Sequence, residues 1–167
     1  KDYFSKQSKE YATFRPTYPP ELFQFINSVV ARHGTAWDCG TGDGQVALEL
    51  TRYFDKIYAS DASKHQIENA FLHPKIEYFV SVAKSTCLAT SSIDLITVAQ
   101  AAHWFNFDAF YAEAKRVLKP QGTLAMWCYG FFQTPQEELK LKSALQEFYN
   151  TINPYWPPEK KLIDDQY

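Results

Sequence analysis

The residues with the plainest chemical pattern are Asp38-Cys-Gly-Thr-Gly-Asp-Gly44. Glycines at alternate positions let a backbone turn tightly and let a ligand approach with no Cβ in the way. An ordinary strand-to-helix turn needs fewer of them, so the cluster reads as a ligand-binding loop. Its spacing is G-x-G-x-G. A dinucleotide loop has G-x-G-x-x-G, in which the third glycine seats the helix and the helix N-terminus takes a pyrophosphate. Asp38 precedes the first glycine and Asp43 lies inside the loop. Carboxylates at such a mouth repel pyrophosphate and suit a ligand that carries an ammonium group and no phosphate. Asp61, further on, is placed to accept both hydroxyls of a ribose, an arrangement that NAD enzymes share. Cys39 reads as small filler, because no base is spaced to activate it.

These residues need strands and helices to bring them together, and the pattern supplies both in alternation. The segment before Pro20 is rich in proline and aromatics and reads as a lid or ordered entry loop. A helix follows, with Leu22, Ile26, Val29, Val30 and His33 on one face and Gly34 placed to end it. A short apolar run at Ala36-Trp37 ends at Asp38, just ahead of the glycines. Val46, Ala47, Leu50 and Tyr53 then recur at helical spacing. A second strand fits Lys56 to Ser60 and ends at Asp61. Ser63-Lys-His-Gln66 has the capping-box form of a helix start. Ile76 to Val82 and Ile93 to Ala99 are strand-like. Phe107 to Leu118 is helical, is stopped by Lys119-Pro-Gln-Gly122, and leads to a fifth strand at Thr123 to Tyr129. A last helix opens at Thr134-Pro-Gln-Glu137 with Leu139, Leu145 and Phe148 inward, and the tail regains a turn of helix near Glu159.

Strands alternating with helices imply right-handed βαβ units. The expected fold is a doubly wound α/β protein, a mostly parallel sheet with helices on both faces. Its parts are an N-terminal lid segment and helix over 1–34, a cofactor-binding core over 35–130, and a C-terminal helix and irregular tail over 131–167. The chain has 167 residues, a formal net charge of −2 and an aromatic share of 17%. That is room for one domain with a substantial core. No Lys/Arg block gives the footprint of a nucleic-acid grip. No apolar run is long enough to span a bilayer, and no basic-then-apolar leader opens the sequence. Cys39, Cys87 and Cys128 form no CxxC pair, which points to a reduced compartment, the cytoplasm, and away from a zinc site.

Taken together, Asp38-x-Gly-x-Gly-x-Gly44 and Asp61-Ala-Ser63 resemble the class I S-adenosylmethionine-dependent methyltransferases. Ile93-Asp-Leu-Ile-Thr-Val-Ala-Gln-Ala-Ala-His-Trp-Phe105 and Phe14-Arg-Pro-Thr-Tyr-Pro19 narrow the likeness to a small-molecule branch that includes trans-aconitate methyltransferase-like proteins. The resemblance covers roughly residues 1 to 130. It implies S-adenosyl-L-methionine as cofactor and methyl transfer to a small molecule, a carboxylate among the candidates. Gly40, Thr41, Gly42 and Gly44 would then pass under the methionine part, with Asp38 near its amino group and Asp61 on the ribose. Ala62 and Gln66 would border the adenine ring and Ala83 would meet its edge through the backbone. Gln100 and Ala101 would face the sulfonium. Tyr11, Arg15 and Tyr18 would close over cofactor or substrate, Arg15 by a bidentate pair with a carboxylate. No metal is implied.

His103 is the only candidate base near the expected methyl position; its other role is to fix the loop through a backbone carbonyl. The chain also departs from the family pattern. Val82 stands where an Asp is common, Lys84 where a Glu is common, and Cys87 where a Pro is common, which leaves adenine to the backbone. The family sheet usually ends in an antiparallel pair after the fifth strand, and the sequence is expected to run on beyond Tyr167 into such strands. Two other readings share the sheet: an NAD(P)-dependent Rossmann oxidoreductase, which predicts a longer glycine spacing, and a non-catalytic cofactor-binding module.

Overall fold

In the computed structural model, which describes residues 17–130 and 139–164, the strand-like runs become β1 (Thr35–Cys39), β2 (Lys56–Asp61), β3 (Ile76–Val80), β4 (Ile93–Ala99) and β5 (Leu118–Trp127). Between them lie helices α1 (Pro20–Val29), α2 (Gln45–Leu50), α3 (Lys64–Glu68) and α4 (Phe107–Val117). The strands pair in parallel in the order β3-β2-β1-β4-β5. Chain order therefore reverses between β1 and β4, the switch point at which sheets of this kind form a ligand crevice beyond the carboxyl ends of the strands.

Period-two alternation sends the two faces of each strand into two cores. Ala36, Ile57, Ala59 and Leu95 pack with Phe23, Ile26, Val46, Ala47 and Leu50 from α1 and α2. Trp37, Cys39, Ile96 and Val98 pack with Phe110, Ala114 and Val117 from α4. Every residue of β4 is buried, as a central parallel strand covered on both sides must be. This is the doubly wound arrangement that the alternating pattern implies.

Several local expectations shift. In α1 the inward stripe is Phe23, Ile26 and Val30, while Val29 is 53% exposed; a spacing of three then four centres the face away from Val29. β3 stops at Val80, two residues before the expected end at Val82, because the chain turns once Ser81 N has donated to Asp61 O. β5 begins at Leu118, so Lys119-Pro-Gln-Gly122 lies inside the strand and does not precede it. The ladder shows how: Leu118 pairs with Ile93 and Thr123 already pairs with Leu95, so the residues between them form a bulge. Gln121 takes φ 64° there. Pro120 is tolerated because β5 is the sheet's edge among the described residues.

The chain divides into two compact units, Lys1–Trp127 and Cys128–Tyr167. Within the second, α5 (Leu139–Ile152) runs directly into the short turn Asn153–Tyr155, and α6 (Lys161–Asp164) follows a turn at Pro158–Lys160. The expected helix start at Thr134–Glu137 and the Leu139 side chain lie outside the described residues. Leu145 is half-buried, but Phe148 is 61% exposed and does not point inward as expected; helical spacing of three turns it off the Leu145 side by about 60°. Among the described residues no helix is long and apolar enough to cross a membrane.

Candidate active site

The crevice is built outward from β1. Asp38 is buried opposite Thr97 in the β1–β4 register. Its carboxylate accepts from Thr97 Oγ1 at 2.7 Å and from Thr41 Oγ1. The chain leaves the strand over Ser60, whose carbonyl accepts from Gly40 N at 2.8 Å and Thr41 N at 2.9 Å. The Ser60 hydroxyl in turn accepts from the buried Trp37 indole at 2.9 Å. The start of the loop thus rests on core groups of β1 and β2.

Gly40 has φ 72°, and a Cβ there would lie 2.6 Å from Ala101 Cβ. The loop can approach the end of β4 only because that position carries no side chain. At Gly44, φ 88°, a Cβ would overlap the Tyr78 hydroxyl. That hydroxyl donates to Phe71 O at 2.8 Å, and Phe71 N donates to Asp43 O at 3.0 Å. The loop's far end is thereby latched to the segment between α3 and β3. Burial and then the Asp38 and Asp43 charges push the Tyr78 phenol up, so it remains a neutral donor.

Asp61 joins the parts. Its Oδ2 accepts from Gly42 N at 2.9 Å and its Oδ1 from Ser63 N at 2.8 Å. Ser63 Oγ caps α3 by accepting from Gln66 N at 3.4 Å. The reciprocal half of the expected capping box is absent because Asp61 already holds Ser63 N. Among the described residues no lysine or arginine pairs with Asp61. The thiol of Cys39 is raised by burial first and by Asp38 and Asp61 next. A thiol held neutral in this way is not a nucleophile.

Across the crevice, Gln100 ends β4 with φ 57°, and its N donates to Trp127 O at 3.0 Å. A left-handed glutamine is uncommon and costs about 1 kcal/mol or more. Among the described residues its buried Nε2 has no hydrogen-bond partner, and neither has the buried Asp43 Oδ1 in the glycine loop. One orphan is a donor and the other an acceptor. Ala101 is buried against Gly40.

The structure therefore brings together Asp38, Gly40, Thr41, Gly42, Gly44, Asp61, Gln100 and Ala101 at adjoining ends of β1, β2 and β4. Ala62 is exposed beside Asp61, Gln66 is half-buried on α3, and Ala83 is part-buried after β3. His103 sits half-buried in the turn Ala102–Trp104, its ring 4.8 Å from that of Trp104. Tyr18 is buried, edge-on to Trp127 at 5.6 Å and to Phe23 at 6.4 Å, so its ring packs as a wall at the end of β5. Tyr11 and Arg15 lie outside the described residues. Sequence reasoning missed Ser60, Thr97 and Tyr78. Thr97 gave a signal, a lone hydroxyl within an apolar strand; Ser60 and Tyr78 act through partners distant in sequence and gave none.

Residues 37–126 match the family model described as a methyltransferase domain. A protein of Dictyostelium discoideum named as a methyltransferase is 43% identical over 168 residues, covering 99% of this chain and 64% of its own length. A solved structure from Anaeromyxobacter dehalogenans named as a type II methyltransferase superposes with a TM-score of 0.81 at 36% identity, over 92% of this chain and 65% of that one. Another, from Methanococcus maripaludis and named as S-adenosyl-L-methionine-dependent, gives 0.69 at 25% identity, over 93% of this chain and 75% of that one. The chain thus spans less than two thirds of the length of the Dictyostelium and Anaeromyxobacter proteins.

S-adenosyl-L-methionine is the cofactor that these likenesses imply, and the residues present fit it. The orphaned Asp43 Oδ1 suits an ammonium, the orphaned Gln100 Nε2 suits an acceptor oxygen, and Asp61 carries negative charge with no internal cation among the described residues. A pyrophosphate would meet the same carboxylates as repulsion.

Proposed function

The chain belongs to the methyltransferase domain family, and from that premise we propose that it transfers a methyl group from S-adenosyl-L-methionine to a small-molecule acceptor, a carboxylate. The observation that carries the reading is the switch point between β1 and β4, where, among the described residues, Asp61 and Asp43 have no internal cation and Gln100 leaves a donor unspent.

Bound there, the cofactor supplies an electrophilic methyl group on a sulfonium. The chain's own residues supply binding, orientation and exclusion of water. Gly40, Thr41, Gly42 and Gly44 hold the methionine side, with Asp38 and Asp43 providing the negative field for its ammonium. Asp61 takes the ribose hydroxyls, while Ala62, Gln66 and Ala83 border the adenine. Gln100 and Ala101 floor the crevice at the reacting side, and Tyr11, Arg15 and Tyr18 belong to the segment that closes it. A carboxylate acceptor is already ionised at neutral pH and needs no base. His103 then orients the acceptor, and it acts as base only for an alcohol, amine or thiol. The His103-Trp104-Phe105 sequence after β4 supports the trans-aconitate methyltransferase-like branch. The free thiols Cys39, Cys87 and Cys128 support a reduced, cytoplasmic setting as part of the same reading.

Titration calorimetry with S-adenosylhomocysteine and with NAD tests the cofactor, and uptake of NAD in preference would overturn it. Transfer of labelled methyl groups to a panel of small carboxylates, with amines and alcohols alongside, tests the acceptor. Labelling confined to the amines or alcohols would remove the carboxylate from this reading.

A further inference from the structure

The loop 81–92 leaves the carboxyl end of β3 and carries Ala83. Its first half bonds to itself: Ser81 Oγ donates to Ser85 O at 2.9 Å and Ser85 N to Val82 O at 3.3 Å. Its second half is held by α4. Glu113, buried on that helix, accepts from Thr86 N at 2.8 Å and Thr86 Oγ1 at 2.7 Å. Arg116, one turn on, grips the same carboxylate with Nε at 2.8 Å and Nη2 at 2.7 Å. Arg116 also donates to Thr90 Oγ1 at 3.2 Å, and its carbonyl accepts from Ser91 N at 2.9 Å. Thr86 Oγ1 accepts from the N of Leu88, which is buried in the core.

A buried ion pair is a poor source of net stability, since an apolar side chain of similar volume usually does as well. What this one provides is directional: two bonds to one residue of a loop that also meets the core through Ala83 and Leu88. Ser81 N donates to the Asp61 backbone carbonyl at 2.9 Å, so the start of the same loop is tied to the residue that ends β2.

We propose that Glu113, held by Arg116, is a positioning residue that sets the loop 81–92 so that the backbone at Ala83 borders the nucleoside of the cofactor. The inference rests on the reading given above, in which that nucleoside lies beside Asp61. It follows that recognition on this side depends on where α4 holds the backbone, because Val82, Lys84 and Cys87 offer no carboxylate of their own.

The test uses the full chain, with S-adenosylhomocysteine as probe and amide hydrogen exchange as a readout that needs no turnover. Glu113→Ala is expected to weaken binding about tenfold, equivalent to ~1.4 kcal/mol, and to speed exchange over residues 83–88 while the glycine loop exchanges as before. Glu113→Gln keeps an acceptor for Thr86 and is expected to recover part of the loss. Lys119→Met, which breaks a buried pair elsewhere, is the control: it lowers stability and leaves affinity unchanged. If Glu113→Ala does not fold, Thr86→Val removes one bond of the same contact and is expected to show the smaller effect in the same direction. A folded variant that binds as the wild type does overturns the inference and leaves the cofactor reading intact. A wild-type chain that takes up no S-adenosylhomocysteine overturns both.

Discussion

The two ends of the sheet treat their carboxylates in opposite ways. At the amino end, Asp94 is buried and its Oδ2 accepts from Lys119 Nζ at 2.8 Å and from Thr35 N at 2.9 Å. The charge is neutralised inside the protein, and the contact ties the starts of β1, β4 and β5. At the carboxyl end, among the described residues, Asp61 accepts from the backbone N–H groups of Gly42 and Ser63, and Asp43 Oδ1 has no donor. Both ends hold buried or part-buried acids, but among the described residues Asp94 is paired with a lysine while Asp61 and Asp43 are paired with none. In a medium of low effective dielectric such a difference is worth kilocalories. It marks the carboxyl end as the place where positive charge arrives from outside.

The severest way to break this contrast is to push the two sides of the crevice apart. Gly40→Ala places a methyl 2.6 Å from Ala101 Cβ at a backbone φ of 72°. Binding of S-adenosylhomocysteine is expected to fall below detection by calorimetry, more than about 100-fold, while the circular dichroism stays that of the native fold. Next comes acid. Arg116 first, and then Thr86, hold the Glu113 carboxyl down from 4.5 to about 2 against the opposing effect of burial. The folded state therefore binds this proton less readily than the unfolded one. The stabilisation is complete above pH 4.5 and drains away as pH falls toward 2, by up to about 3 kcal/mol. Denaturant unfolding at pH 7 and pH 3 should show a gap between wild type and Glu113→Gln at the higher pH that narrows at the lower.

Lys119→Met strips Asp94 of its cation and is expected to cost about 2–3 kcal/mol of stability, with no change in S-adenosylhomocysteine affinity. Asp61→Ala is the counterpart at the other end. It is expected to cost about 1.5–3 kcal/mol of affinity and much less of stability, read from the same two experiments. Equal effects of the two variants on both measurements would erase the difference between the ends.

The readable parts of this arrangement are those in which residue type and spacing act locally. Asp38 to Gly44 announced a loop because glycines at alternate positions have few other uses, and Asp61 stood at the end of a recognisable strand. The doubly wound sheet followed from strands alternating with helices. What stayed hidden depends on partners far along the chain. The bulge in β5 is held by a lysine reaching an aspartate 25 residues away, so Lys119-Pro-Gln-Gly122 read as a helix stop. Glu113 reaches Thr86 across 27 residues, and on periodicity it is a charged position next to a buried stripe. Gly44 showed its need for freedom, but the Tyr78 hydroxyl that fills the space beside it did not show.

The smallest expected effect bears on His103, which stands just beyond the carboxyl end of β4. It stands in the turn Ala102–Trp104, against the Trp104 ring and beyond Ala101. Gly42 N and Ser63 N hold Asp61, so His103→Ala is expected to change S-adenosylhomocysteine affinity by less than about 0.5 kcal/mol. Its effect should surface with the acceptor. An ionised carboxylate already has the electron pair that attacks, and loss of the imidazole then alters KM through orientation and spares kcat. An amine or alcohol must shed a proton, and kcat falls by about 100-fold or more if His103 receives it. Comparing the two acceptor classes in one variant separates a base from a wall of the pocket. A drop in cofactor affinity would instead move His103 to the side of the crevice occupied by Asp61.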